Sequence, residues 1–202
     1  MEIKLPTPIE RLVARLRKLP GVGSQTALRH VWELLRWKES DLAALAEELA
    51  TLKQQVTPCP VCGFYTEGGG LCQICASENR DRTKICVVET APQVPVLERT
   101  GCYKGLYHVL GGRFSPLSGV TPEHLHWHAL GERLQNPEVK ELILATSTDV
   151  EGQATAKLLM DDFQREGLTI TRLPIGVPTG ADLAYADAPT LAQALSARHP
   201  FS

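Results

Sequence analysis

Along the first helical stretch the apolar positions Ile9, Leu12, Val13, Leu16 and Leu19 recur at helical spacing and leave Arg11, Arg15 and Lys18 outside the stripe. Thr7-Pro8-Ile9-Glu10 combines a threonine N-cap, a proline in the first turn and a glutamate at the third position, so a capping box is expected to open this helix and Pro20 to stop it. Beyond Gly21-Val22-Gly23, Ser24 reads as the N-cap of a second helix with Ala27, Val31, Leu34 and Leu35 on its core face. Ser40 and Asp41 open a third, striped by Leu42, Leu45, Leu49, Leu52 and Val56. The period then changes. Residues 84–89 form an apolar run closed by Glu89, and residues 106–110, 141–145 and 168–173 read as further strands. Helical stretches at 94–99, 122–135 and 153–166 lie between them, and a short one around 190–197 follows. Strands alternating with helices predict an α/β fold with a parallel-rich sheet, whose functional loops lie at the carboxyl ends of the strands. Glu89 and the loop 146–152 occupy such ends.

Helix, Leu19-Pro20-Gly21-Val22-Gly23, helix is the pattern of a helix-hairpin-helix. Two glycines there expose successive backbone N–H groups at the start of the second helix, where the helix dipole also favours an anion. Such a site takes phosphate and reads no base edges, so the contact is expected to be independent of nucleic-acid sequence and sensitive to salt. Charge supports this reading: residues 1–38 hold eight basic and three acidic side chains, a surplus of five positive charges. Residues 39–202 hold 13 basic and 20 acidic ones, a surplus of seven negative charges, which the net charge of −2 conceals. A basic end on an acidic body points to a polyanion at one end and another class of partner at the other.

At 202 residues the chain suits one medium domain or two to three small modules. No apolar run approaches the ~20 residues that a bilayer demands. Glu10, Arg11, Arg15 and Arg17 interrupt the apolar pattern where a signal peptide has its hydrophobic centre, so a cytosolic protein is expected. In that reducing compartment six cysteines suggest metal ligands before disulfides. Cys59-Pro-Val-Cys62 and Cys72-Gln-Ile-Cys75 are two CxxC knuckles nine residues apart, with Gly63 and Gly68-Gly69-Gly70 to permit tight turns. Four sulfurs on one tetrahedral ion leave no open position, so a structural zinc is expected, an iron–sulfur cluster being the lesser alternative. Cys86 sits in an apolar run and reads as a small buried hydrophobe.

Glu89, Asp149 and Glu151 are candidates for a magnesium site, against the alternative of a docking surface for a basic partner. His124, His126 and His128 read as surface residues, since only the first and last share a helix face. Gly111-Gly112-Arg113 reads as a turn, and no nucleotide-hydrolysing loop or nucleophile motif is present.

In order along residues 8–198, LPGVGSQTALR, the CPVC and CQIC knuckles, RDRTKICVVE, TGCYKGLYHVLGGRFSPLSGV, ELILATSTDVEGQATA, TRLPIGVPTGADLAYAD and TLAQAL together resemble the RecR family of bacterial recombination mediators. The resemblance implies a helix-hairpin-helix module over 1–57, a four-cysteine zinc module over 58–80, a Toprim domain over 81–174 and an oligomerisation tail over 175–202. It implies a non-enzymatic, ring-shaped homotetramer that encloses single- or double-stranded DNA and acts with RecO and RecF to load RecA at gaps. On that reading Cys59, Cys62, Cys72 and Cys75 hold zinc, and Arg17, Lys18, Gly21, Gly23, Gln25 and Arg29 meet DNA. Glu89, Asp149 and Glu151 then meet a protein partner, without a requirement for magnesium. Two positions depart from the family pattern. Gln25 stands where members often carry lysine, and Asp149 makes an acidic pair with Glu151 close to the DxD of catalytic Toprim enzymes. The rival expectation is therefore a magnesium-dependent Toprim nuclease or phosphoryl-transfer enzyme.

Overall fold

The computed structural model describes residues 4–174, 176–177 and 180–198, and the chain divides into two compact units, Met1–Gln55 and Val56–Ser202. Those parts of the expected tail that fall on 175, 178–179 and 199–202 lie outside the described residues.

The first unit holds α1 (Thr7–Leu16), α2 (Ser24–Leu34) and α3 (Glu39–Gln55), with α1 packed on α2. The expected capping box does not form. Pro6, fixed at φ −53°, is the N-cap, and its carbonyl accepts from the N–H groups of Ile9 and Glu10 at 2.9 and 3.2 Å. Thr7 is therefore already helical and caps nothing. At the other end α1 stops at Leu16, so Leu19 falls outside its stripe and is exposed. Gly21 turns the chain at φ +76°, a conformation open to glycine without strain. Gly23, not Ser24, is the N-cap of α2, in extended conformation. Ala27 and Val31 are buried as expected, but Leu35, which lies just past the last residue of α2, is exposed. The stripe of α3 keeps Leu42 and Leu45 half-buried and leaves Leu49 and Leu52 exposed.

The second unit opens with a hairpin that the apolar pattern did not suggest, β1 (Val56–Pro58) against β2 (Tyr65–Glu67), and a single turn of helix, α4 (Gln73–Ala76). Val56, expected on the stripe of α3, is the first residue of β1. Its main sheet comprises β3 (Asp81–Val88), β4 (Gly105–Val109), β5 (Glu141–Ala145) and β6 (Thr169–Arg172) in the order β4-β3-β5-β6, all parallel, as the alternation of strands and helices predicts. Alternating residues divide between two cores. Ile85, Val87, Leu142 and Leu144 pack with Trp127 and Leu130 of α6 (Trp127–Leu134) and with Ala156 and Leu159 of α7 (Val150–Phe163). Cys86, Val88, Tyr107 and Val109 pack with Val94 of α5 (Gln93–Glu98) and with Phe64 and Ile74 of the cysteine module. A final helix, α8 (Ala188–Ser196), follows the sheet.

Two helices differ from expectation. The stretch 122–135 is a 3-10 turn, Pro122–His124, followed by an extended Leu125 at ψ 163° before α6. Leu125 is drawn into the core, and the His126 N–H is held by the Leu110 carbonyl at 2.8 Å, which together break the helix. The helix expected from residue 153 starts at Val150, because Asp149 caps it by accepting from the Gly152 N–H at 2.8 Å.

Candidate functional site

Cys59, Cys62, Cys72 and Cys75 are all buried, and their sulfurs lie within 4.8 Å of one another. The first knuckle is the turn between β1 and β2. Gly63 closes it at φ +74°, and a Cβ there would meet His126 Nδ1 at 2.7 Å and the Val109 carbonyl at 2.9 Å. The Val109 N–H donates to the Cys62 carbonyl at 2.7 Å, so β4 itself holds the knuckle in place. The second knuckle opens α4, where Cys72 Sγ accepts from the Cys75 N–H at 3.5 Å. Burial opposes ionisation of Cys59, but the N–H groups of Cys72, Cys62 and Val61 outweigh it and lower that thiol to about 7. The neighbouring Cys75 sulfur, and then burial, hold Cys62 far above its ordinary value. Four buried sulfurs gathered this closely form a donor set for a soft or borderline cation, and they can hold a metal ion such as zinc. Cys86 stands apart, buried in the sheet with its thiol pushed up to about 12 by burial, and Cys102 is exposed.

At the carboxyl ends of β3 and β5 the structure gathers Glu89, Asp149 and Glu151, and adds an arginine. Arg113 Nη1 lies 2.5 Å from Asp149 Oδ2, and its Nε lies 2.9 Å from Glu151 Oε2. Glu89 is buried, and its Oε1 accepts from the Ser147 N–H at 2.8 Å. The Ser147 hydroxyl lies 2.9 Å from both Glu89 Oε1 and Asp149 Oδ1 and can give its one proton to only one of them at a time. Ser115 Oγ donates to Glu151 Oε1 at 2.5 Å, and the buried Thr155 receives the Phe114 N–H at 2.9 Å, which ties the arginine loop to α7. The Gly152 N–H, then Ser147 and Arg113, hold the Asp149 carboxyl below the usual carboxylate range. Arg113, Ser147 and Ser115 escaped the sequence reading. The position of Gly111-Gly112-Arg113 immediately beyond the carboxyl end of a strand is the signal that marks the arginine.

In the first unit Arg17, Lys18, Gly21, Gly23, Gln25 and Arg29 are all exposed. Arg17, Ser24 and Gln25 line one hollow of about 240 Å³ between α1 and the start of α2. No side chain caps that start, so its backbone donors are left to an external acceptor. His124 and His128 are exposed as expected; His126, also on the surface, bonds through Nδ1 to the Val109 carbonyl at 2.8 Å.

The class is that of a Toprim protein: residues 83–174 match the model of the Toprim domain. Residues 9–53 match the model described as RecR, helix-hairpin-helix, and residues 176–199 that described as RecR, C-terminal. Over nearly the whole chain it is similar to proteins named Recombination protein RecR. That of Thermosynechococcus vestitus is 46% identical over 191 residues, covering 95% of this chain and 94% of the relative. The corresponding figures are 47% over 194 residues, 96% and 94% for Roseiflexus sp., and 44% over 193 residues, 96% and 97% for Staphylococcus aureus strain Newman. The chain belongs to the RecR family. It is an α/β Toprim protein with a helix-hairpin-helix and a four-cysteine cluster suited to a metal. Among the described residues no helix is long and apolar enough to cross a membrane.

Proposed function

We propose that the protein is a non-enzymatic DNA-binding mediator of recombinational repair, cytoplasmic and associated with the nucleoid. The observation that carries this reading is the hairpin: an uncapped helix start behind two glycines, flanked by exposed Arg17, Lys18 and Arg29. Exposed backbone donors and exposed cations of this kind bind phosphate whatever the base sequence. Similarity over the full chain to recombination proteins supports the repair context.

The division of labour follows the modules. Residues 1–57 bind single- or double-stranded DNA, with Gln25 contributing a hydrogen bond in place of a charge. Residues 58–80 hold a structural zinc, 81–174 form the Toprim body, and 175–202 join subunits. Exposed Leu49 and Leu52 on α3, and Leu183, Tyr185 and Leu195 in the tail, supply the apolar surface that assembly from dimer to ring tetramer requires. The acidic surface of Asp149 and Glu151, with Glu89 at its floor, docks the basic partner RecO; with RecO and RecF the clamp loads RecA at gaps.

Salt titrations of DNA binding test the hairpin. Arg29→Ala, and Arg17→Ala with Lys18→Ala, are expected to weaken binding to unrelated sequences equally and to reduce the slope of log K against log salt by about 0.9 for each duplex phosphate that is no longer neutralised. Unchanged slopes in both variants exclude the hairpin from the interface. Glu151→Lys is expected to slow association with RecO and to leave DNA binding intact or slightly stronger. The reverse pattern assigns the acids to the nucleic acid.

A further inference from the structure

The three acids invite a divalent cation, yet five of their six oxygens already accept a hydrogen bond or face Arg113. Asp149 Oδ1 accepts from the Gly152 N–H at 2.8 Å, and its Oδ2 faces Arg113. Glu151 uses one oxygen on Ser115 and the other on Arg113 Nε. Glu89 Oε1 takes the Ser147 N–H. Only Glu89 Oε2 has no hydrogen-bond donor among the described residues, and Glu89 is buried. The three carboxylates do not bring one oxygen each within 4.8 Å of one another, as the four cysteine sulfurs do. Magnesium demands near-octahedral oxygen ligands at about 2.0–2.1 Å, with one or two carboxylates in its shell and water completing it. Here Arg113 holds the ground between Asp149 and Glu151, and the one oxygen without a donor belongs to the buried Glu89. The residues present do not fit it.

We propose that Arg113 is the resident cation of this cleft, occupying the ground between Asp149 and Glu151 that a metal ion would need and excluding divalent cations from the native protein. Its placement is built in. The loop that carries it is stapled to α7 through Phe114 and Thr155 and through Ser115 and Glu151, so the guanidinium arrives from a fixed backbone. A guanidinium also matches this task better than a metal: its planar fork meets two carboxylates at once and needs no water shell.

The test is a titration of the zinc-loaded full chain with Mn²⁺, followed by electron paramagnetic resonance, for the native protein, Arg113→Gln and Arg113→Gln with Glu151→Gln. The native chain is expected to leave Mn²⁺ free at millimolar concentration and to melt at the same temperature with or without Mg²⁺. Arg113→Gln is expected to take up one Mn²⁺ per chain at least about tenfold more tightly, and the double variant to lose it. A native chain that binds Mn²⁺ at micromolar concentration, at a site lost in Glu151→Gln, overturns the assignment; so does a folded Arg113→Gln that binds none. Should Arg113→Gln not fold, its rescue by added Mg²⁺ counts for the assignment and failure of that rescue counts against it.

Discussion

Four sulfurs in the paired knuckles and three carboxylates at the ends of β3 and β5 each gather like charge in a small space, but the chain treats them differently. Around the cysteines it supplies backbone donors and, near enough to feel the charge of Cys75, Cys62 and Cys59, the half-buried Arg133, which makes no hydrogen bond to a sulfur among the described residues; Cys62 Sγ and Cys72 Sγ lie 3.5 Å apart. Around the carboxylates it supplies a guanidinium, two hydroxyls and a helix N-terminus. The first set is one that a metal ion can complete, and the second finds its cation in the chain itself. What separates a cluster open to a metal from one that the chain fills by itself is therefore the number of donor atoms that the chain leaves uncommitted, and the count of ligand-type residues does not decide it. Strand β4 serves both regions, since Val109 holds the Cys62 knuckle and Arg113 follows a few residues later.

The largest effect is expected from removing the cysteine side of this contrast. Chelation, or Cys72→Ser, should unfold the segment around 58–76, which is too short to have a hydrophobic core of its own and, with zinc bound, would draw folding free energy on the order of 10 kcal/mol from the metal. Hydrogen exchange should show lost protection there with β3 and β5 still protected, and elemental analysis should give one zinc per native chain. Full protection of the segment after metal removal breaks the contrast, because the cysteines would then be self-sufficient like the acids.

A smaller effect is expected at His108, in the strand that the two regions share. Burial, and then the charge of Arg133, lower its pKa to about 3. The ring is neutral, with Nε2 2.8 Å from the His126 carbonyl and Nδ1 3.2 Å from Arg133 Nη1, so a second proton would face a guanidinium. In the unfolded chain the same histidine titrates near its ordinary value, about 6.5. Between that value and about 3 the unfolded state binds one more proton, so this contribution is complete above the upper limit and is lost as pH falls, by up to about 1.4 kcal/mol per unit. Urea unfolding at pH 7, 6 and 5 should show the slope, and His108→Gln, which can keep both hydrogen bonds, should flatten it. An equal slope in the variant assigns acid sensitivity to other groups.

Much of this was legible in the sequence where the cause is local. The strands β3 and β5 are continuous apolar runs because both sheet faces are covered, and a run needs no partner to be seen. The knuckles are legible because two-residue spacing already forces each sulfur pair onto one ion. The rest depends on distant neighbours. Arg113 and Asp149 are 36 residues apart, and only the parallel order of β4, β3 and β5 brings their loops together. The break at Leu125 has the same origin: its local pattern is helical, and the pull of Leu110 and the core overrides it. At α1 two prolines compete for the helix start, and Pro6 wins through a backbone carbonyl that no side-chain rule records.

The smallest effect is expected at Asp149, and it separates the two tasks of that side chain. One oxygen caps α7 through the Gly152 N–H, and the other meets Arg113. Asp149→Asn keeps a capping oxygen and loses the charge, whereas Asp149→Ala loses both. Since the ion pair is exposed to water and salt, its loss should cost little, and most of the destabilisation should be confined to the alanine variant. The aspartate is held below its ordinary range by the helix N–H first and by Arg113 to a lesser degree, so its contribution is present at neutral pH and lost as pH falls through the depressed value. Melting curves for both variants at neutral pH and at pH 3 decide the matter. The asparagine variant should melt close to the native protein, the alanine variant below both, and the gap should narrow in acid as the native carboxyl becomes protonated. An asparagine variant as unstable as the alanine variant would show that the charge on Arg113, and not the cap, anchors this end of α7.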